Sequence, residues 1–142
     1  MTSEASASRR PRVICHMIAS IDGRIVTGRW PDLGEGWGEY ERTGSTYGAD
    51  AWMCGRITME AMAGGLRESE EVARESASRP RDGLIDEVSL LVAPVADGAV
   101  GTATLFDVGG DDVVPRRLAL ESVERRASDV LWLRYRVEGR TT

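Results

Sequence analysis

The run Val13-Ile-Cys-His-Met-Ile-Ala19 constrains the fold more than any other stretch of the chain. It is apolar at both parities, with Val13, Cys15, Met17 and Ala19 at one set of positions and Ile14 and Ile18 at the other. Successive side chains of a strand point to opposite faces. A strand apolar on both faces is covered on both, as in the middle of a parallel sheet. Ser20-Ile-Asp-Gly23 follows with turn chemistry and ends it.

The rest of the chain reads as further pieces of an α/β domain. Residues 28–38 hold four glycines, Pro31, Trp30 and Trp37, which makes a loop placed to touch a ligand. A helix is predicted over 39–49 and a short strand over 51–54, running into Gly55-Arg-Ile-Thr58 and a brief helical stretch. Residues 66–82 are charged with little apolar periodicity, and read as a solvated helix or a linker. Order returns with a strand over 88–94, where Pro94 ends the strand or lies at its edge. A glycine-rich loop covers 96–110. Two β-rich runs, 117–124 and 129–137, then flank Ala127-Ser-Asp129 and predict an antiparallel hairpin. The order β–α–β–α–β plus hairpin predicts α/β with a mixed sheet. Residues 1–10 and 139–142 read as tails around a single domain, 11–138.

A chain of 142 residues can bury roughly two-thirds of its unfolded surface without disulfides or metals. Several functions are excluded by what is missing. All 18 basic residues are Arg, and the chain has no Lys, Asn or Gln. A phosphate loop of the GxxxxGK[ST] type lacks its lysine, lysine Schiff-base chemistry is excluded, and N-glycosylation has no acceptor. The net charge of −5 is spread along the chain with no basic stripe, so no nucleic-acid partner is expected. The longest apolar runs are too short to span a bilayer, so no membrane partner is expected. The first ten residues have no apolar secretory core, and the expected address is the cytoplasm. Cys15 and Cys54 read as free buried thiols, and His16 as a packing or cofactor-facing residue. No zinc spacing arises from these three.

Two places carry candidate chemistry. Ser20-x-Asp22-Gly23 stands at the carboxyl end of the first strand, where open α/β sheets place ligands. Asp22 can orient a polar substrate or assist proton transfer there; an ordinary Asp-Gly turn is an equal alternative. Gly55-Arg-x-Thr58 joins a predicted strand to a short helix. Backbone N–H groups at such a junction attract phosphate, Arg56 adds a bidentate anion contact, and Thr58 caps the helix or bonds a phosphate oxygen. A capped turn without ligand has equal weight. Gly34-Glu-Gly-Trp-Gly38 has the wrong spacing for a dinucleotide fingerprint and reads as a flexible loop.

In order, these pieces resemble a known family. Val13 through Ile25, with its S-x-D-G-R turn, resembles the opening of the reductase domain of bifunctional riboflavin-biosynthesis (RibD) proteins. Ala51-Trp-Met-Cys-Gly-Arg-Ile-Thr-Met-Glu60 is similar to the G-R-x-T junction of the dihydrofolate-reductase superfamily. Gly83 through Val95 resembles that family's late strand, entered through L-[IV]-D-E; Thr104-Leu-Phe-Asp107 and the closing hairpin fit its C-terminus. The resemblance covers 11–65 and 83–138. It implies a dihydrofolate-reductase-like mixed sheet flanked by helices, with NADPH as cofactor and a homodimeric assembly. The implied small-molecule substrate is an aminopyrimidine ribosyl phosphate, whose ribosyl group is reduced to ribityl. Carried over, Ala19 lines the nicotinamide, Trp37 packs near the cofactor, Gly55, Arg56 and Thr58 meet its adenosine-phosphate portion, and Ser20 and Asp22 border the reacting centre. One departure stands out: the family's glycine-rich E-G-G-G-x-L strand is replaced by 66–82, so an internal deletion is expected. The late strand then pairs directly with the first, or another subunit fills the gap. A shortened, non-catalytic remnant and a deazaflavin-dependent reductase are the alternatives.

Overall fold

The computed structural model describes residues 10–55, 84–106 and 115–138. The expected linker 66–82, together with Arg56, Thr58 and Asp107, lies outside the described residues. Four strands form one mixed sheet: β1 (Ile14–Ala19), β2 (Glu87–Val92), β3 (Leu118–Arg125) and β4 (Leu131–Val137), in the order β1-β2-β4-β3. β1 and β2 run parallel, Ile14 opposite Glu87 and Ala19 opposite Val92. The late strand thus lies directly beside the first. β4 is antiparallel to both β2 and β3, and β3–β4 is the predicted hairpin. A bulge between Leu120 and Ser122 bends β3.

Helix α1 (Glu39–Ser45) is shorter than predicted. Side-chain hydroxyls account for its early end. Thr43 donates to the Glu39 carbonyl at 2.6 Å, Ser45 to the Arg42 carbonyl at 2.8 Å and Thr46 to the Thr43 carbonyl at 2.6 Å. Such bonds compete with the helical ladder, and Gly48 then turns left-handed at φ 53°. The predicted loop 28–38 contains two short 3-10 turns, Thr27–Arg29 and Gly34–Gly38. The predicted strand 51–54 is not formed. Residues 51–55 adopt no regular element, and Trp52 and Met53 are exposed. A short apolar run becomes a strand only where a sheet edge accepts it. On the outer edge of β1, the Tyr40 hydroxyl already donates to the His16 carbonyl at 3.2 Å.

Directly opposed residues share a sheet face. Ile14, His16 and Ile18 therefore lie with Glu87, Ser89 and Leu91, and with Arg136, Arg134 and Trp132. On this face Leu91, Val130 and Trp132 form one buried cluster, and Trp30, Leu33, Ala93 and Val95 a second; Ile18 packs against both. Burying a side chain such as Leu91 stabilises the fold by about 2 kcal/mol.

A polar network runs through the same face. The Trp132 indole donates to Ser89 Oγ at 2.8 Å. The Tyr40 carbonyl can only accept, so the neutral His16 ring carries its hydrogen on Nε2, and Nδ1 accepts the Ser89 hydroxyl proton at 2.8 Å. Nε2 donates to the Tyr40 carbonyl at 2.7 Å, joining α1 to the sheet. Glu87, its side chain 2% exposed, accepts from Arg134 Nε at 2.9 Å and from the Tyr47 hydroxyl at 2.7 Å, and pairs with Arg12. Glu39 is buried likewise between Arg126 at 2.8 Å and Arg42 at 2.9 Å. Among the described residues no helix is long and apolar enough to cross a membrane.

Candidate functional site

The carboxyl ends of β1 and β2 lie side by side, and the loops that leave them are welded together. Ala93 N–H donates to the Ala19 carbonyl at 2.8 Å, and Ile21 N–H to the Val95 carbonyl at 2.9 Å. Ser20, buried at the end of β1, accepts the Arg24 N–H at 2.9 Å and donates its hydroxyl proton to Asp22 Oδ1 at 2.6 Å. The turn needs glycine at 23, where φ is +80°.

Asp22 reaches across to the loop after β2. Its Oδ1 accepts the Asp97 N–H at 3.0 Å and its Oδ2 the Gly98 N–H at 2.8 Å. The Ser20 hydroxyl first, then the Gly98 and Asp97 N–H groups, hold its carboxyl well below the usual carboxylate range. Asp22 is therefore an anion near neutral pH.

Asp97 continues the chain of contacts. Its side chain, 1% exposed, accepts the Trp30 indole N–H at 2.8 Å and the Ala99 N–H at 3.1 Å, with Arg29 Nε at 3.8 Å. Trp30 stacks on Trp37, with centroids 6.2 Å apart and planes at 19°. Trp37 donates its indole N–H to Asp32 Oδ1 at 3.2 Å and is 38% exposed. The structure thus brings together four of the predicted site residues: Ala19, Ser20 and Asp22 directly, and Trp37 through Asp97 and Trp30. Gly55 ends its described stretch, exposed, and among the described residues a Cβ there would meet nothing within 4 Å. Arg56 and Thr58 lie outside the described residues.

Sequence reasoning missed Asp97, which fixes both the Asp22 turn and the Trp30 ring; an Asp-Gly pair after a strand resembles any turn. It also missed Glu87 and Ser89, although two polar residues at alternate positions of an otherwise apolar strand signal a buried polar network. His16 stacks on Tyr40, meets Tyr47 edge-on and hydrogen-bonds Ser89 and the Tyr40 carbonyl. Burial pushes its pKa down, against the Tyr40 hydrogen bond. Burial pushes the Cys15 thiol up, which makes it a poor nucleophile.

No protein-family model and no curated protein sequence matches the chain. Among solved structures, it is similar to a pyrimidine reductase-like protein from Corynebacterium diphtheriae, at 16% identity over 92% of this chain and 93% of that one, with a TM-score of 0.51. It is also similar to RibD of Acinetobacter baumannii, at 25% identity over 41% of this chain and 16% of that one, with a TM-score of 0.35. The first likeness shows the fold: an α/β mixed sheet shared with that pyrimidine reductase-like protein.

Proposed function

We propose that this chain is an NADPH-dependent oxidoreductase of the pyrimidine-reductase type, reducing the ribosyl group of an aminopyrimidine ribosyl phosphate to ribityl. One observation carries the reading. The Ser20–Asp22 turn and the 97–98 loop are locked together at the carboxyl ends of two parallel strands. In an open α/β sheet that is where ligands bind. The fold shared with a pyrimidine reductase-like protein supports the choice of reaction class.

The described residues fit the nicotinamide end of such a cofactor. Trp37 offers a part-exposed aromatic face, whereas Ala19, 1% exposed, is buried at the end of β1 and supports the turn that follows it. Gly55 leaves its backbone open for close approach by the adenosine-phosphate portion, with Arg56 and Thr58 as the further anion contacts. Bound NADPH would supply the hydride. The chain's own residues orient and exclude water. Ser20 and Asp22 border the reacting centre, and Asp22 acts by holding a fixed negative charge and a rigid loop; already ionised, it has no proton to give. A homodimer and a phosphorylated small-molecule substrate belong to the same proposal.

The test is a titration with NADPH followed by tryptophan fluorescence, with Trp30 and Trp37 as reporters. Turnover of the ribosyl phosphate, followed by loss of dihydronicotinamide absorbance, comes second. Micromolar quenching and substrate-dependent oxidation are expected. Silence up to millimolar NADPH would remove the reading, and a response to a deazaflavin alone would move it to that cofactor.

A further inference from the structure

The tip of the β3–β4 hairpin is built in an unusual way. Ser128 (φ 55°) and Asp129 (φ 62°) both occupy the left-handed region. In a tight hairpin turn these positions favour Asn, Asp or Gly, so Asp129 is tolerated and Ser128 is the strained residue. The turn closes with Val130 N–H on the Ala127 carbonyl at 3.3 Å. Such strain persists only where the surroundings over-determine it.

Here the surroundings are the loop that carries Trp37. Ser128 Oγ accepts the N–H of Gly36 at 3.2 Å, sharing it with the Leu33 carbonyl at 3.0 Å that closes the 3-10 turn. Gly36 is buried, and a Cβ on it would lie 3.1 Å from Ser128 Cβ and 3.2 Å from Val130 Cγ2. On the other side of the tip, Ala127 N–H meets Glu39 Oε1 at 3.4 Å, and Arg126 Nε meets Glu39 Oε2 at 2.8 Å. The hairpin tip is therefore clamped to residues 36–39 by its backbone, its hydroxyl and a buried ion pair. Trp37 lies inside that clamp, next to Gly36.

We propose that Ser128 is a positioning residue for Trp37. Its left-handed conformation aims the hydroxyl at the Gly36 N–H and so holds the Glu35–Gly36 peptide, the one that leads into Trp37 and its stack on Trp30. The functional part of this inference rests on the reading that Trp37 faces the cofactor. A side chain 91 residues away in the sequence (128 − 37) thereby helps to set the aromatic wall of the site.

Two variants test it. Ser128→Gly keeps the left-handed turn without strain but removes the hydroxyl. Ser128→Asn keeps an oxygen acceptor on a residue that tolerates this conformation. Three quantities are read for each: Tm, the exciton circular-dichroism signal of the Trp30–Trp37 pair in the ligand-free protein, and the Kd for NADPH. Ser128→Gly is expected to keep or raise Tm, lose the exciton signal and weaken NADPH binding about fivefold, the worth of one neutral hydrogen bond. Ser128→Asn is expected to restore both signal and affinity. A Ser128→Gly protein with wild-type signal and affinity would overturn the proposal. So would a fall in Tm, signal and affinity together that Ser128→Asn fails to rescue, which marks a merely structural residue. If the wild-type protein binds no NADPH, the functional reading fails, and the exciton signal still decides what Ser128 does to Trp37.

Discussion

Glu87→Gln removes one charge from the centre of the sheet and leaves its shape almost unchanged. Glu87 stands between Arg134 at 2.9 Å, the Tyr47 hydroxyl at 2.7 Å and Arg12. Hydrogen bonds to a charged partner contribute about 1.5–3 kcal/mol and neutral ones about half that, so losing the charge costs about 1 kcal/mol at each of Arg134 and Tyr47. Arg12 is largely exposed, and its pairing with Glu87 contributes at most about 1 kcal/mol. The glutamine N–H₂ that replaces the second oxygen would in addition face a guanidinium and find no acceptor. The sum is about 3 kcal/mol, at the low end of what breaking a buried ion pair costs. For a domain of this size that lowers Tm by roughly 10 °C. Urea unfolding followed by far-ultraviolet circular dichroism measures the change without relying on Trp132, which is stacked against Arg134. A loss below about 1 kcal/mol would refute the reasoning, because Glu87 would then be solvated rather than a buried counter-ion.

Other substitutions and pH probe other parts of the account. Gly44→Ala would place a Cβ 3.1 Å from His16 Nε2, and His16 is held on both sides by Ser89 and Tyr40; despite the gain in helix propensity, urea unfolding should show a net loss of about 1 kcal/mol. Stability should be flat from pH 6.5 up to the alkaline range, where it falls from pH 9 upward because the unfolded chain's Cys15, Tyr40 and Tyr47 ionise before their buried folded counterparts. As pH falls below 6.5 it should drop toward the depressed folded-state pKa of His16, because the unfolded chain takes up the proton first. A second loss should begin below pH 4.5. Burial pushes Glu39 and Glu87 up, but their arginine and other hydrogen bonds outweigh it and hold both carboxyls low, so the stability they give is lost as they protonate. Urea midpoints across this pH range check these windows. Asp22→Asn should lower turnover by a similar factor at every pH, since Asp22 orients the loop and does not titrate in the working range; a changed acidic limb in the pH–rate profile would contradict that.

Elements that announce themselves locally were legible in the sequence. β1 shows as an apolar run at both parities, and β2 as a second run stopped by Pro94. The hairpin shows through its alternation and turn residues. The strand expected at 51–54 has the same local signature, yet whether such a run becomes a strand depends on a free sheet edge, which the run itself does not encode. The candidate site was half legible. Ser20 and Asp22 stand in a recognisable turn. Asp97 and Ser128 act on partners 67 and 92 residues away, Trp30 and Gly36. Nothing in their own neighbourhoods marks them. Glu87 stands just before the strand expected over 88–94, as the last residue of L-I-D-E, and it is the buried anion around which Arg134, Tyr47 and Arg12 gather.

Backbone amide chemical shifts recorded while NADPH is added test most directly whether one pocket joins the ends of the two parallel strands. The account predicts saturable shifts concentrated at 19–24, 36–38, 55 and 97–98. Shifts confined to the β3–β4 sheet surface, or none at millimolar cofactor, would contradict it.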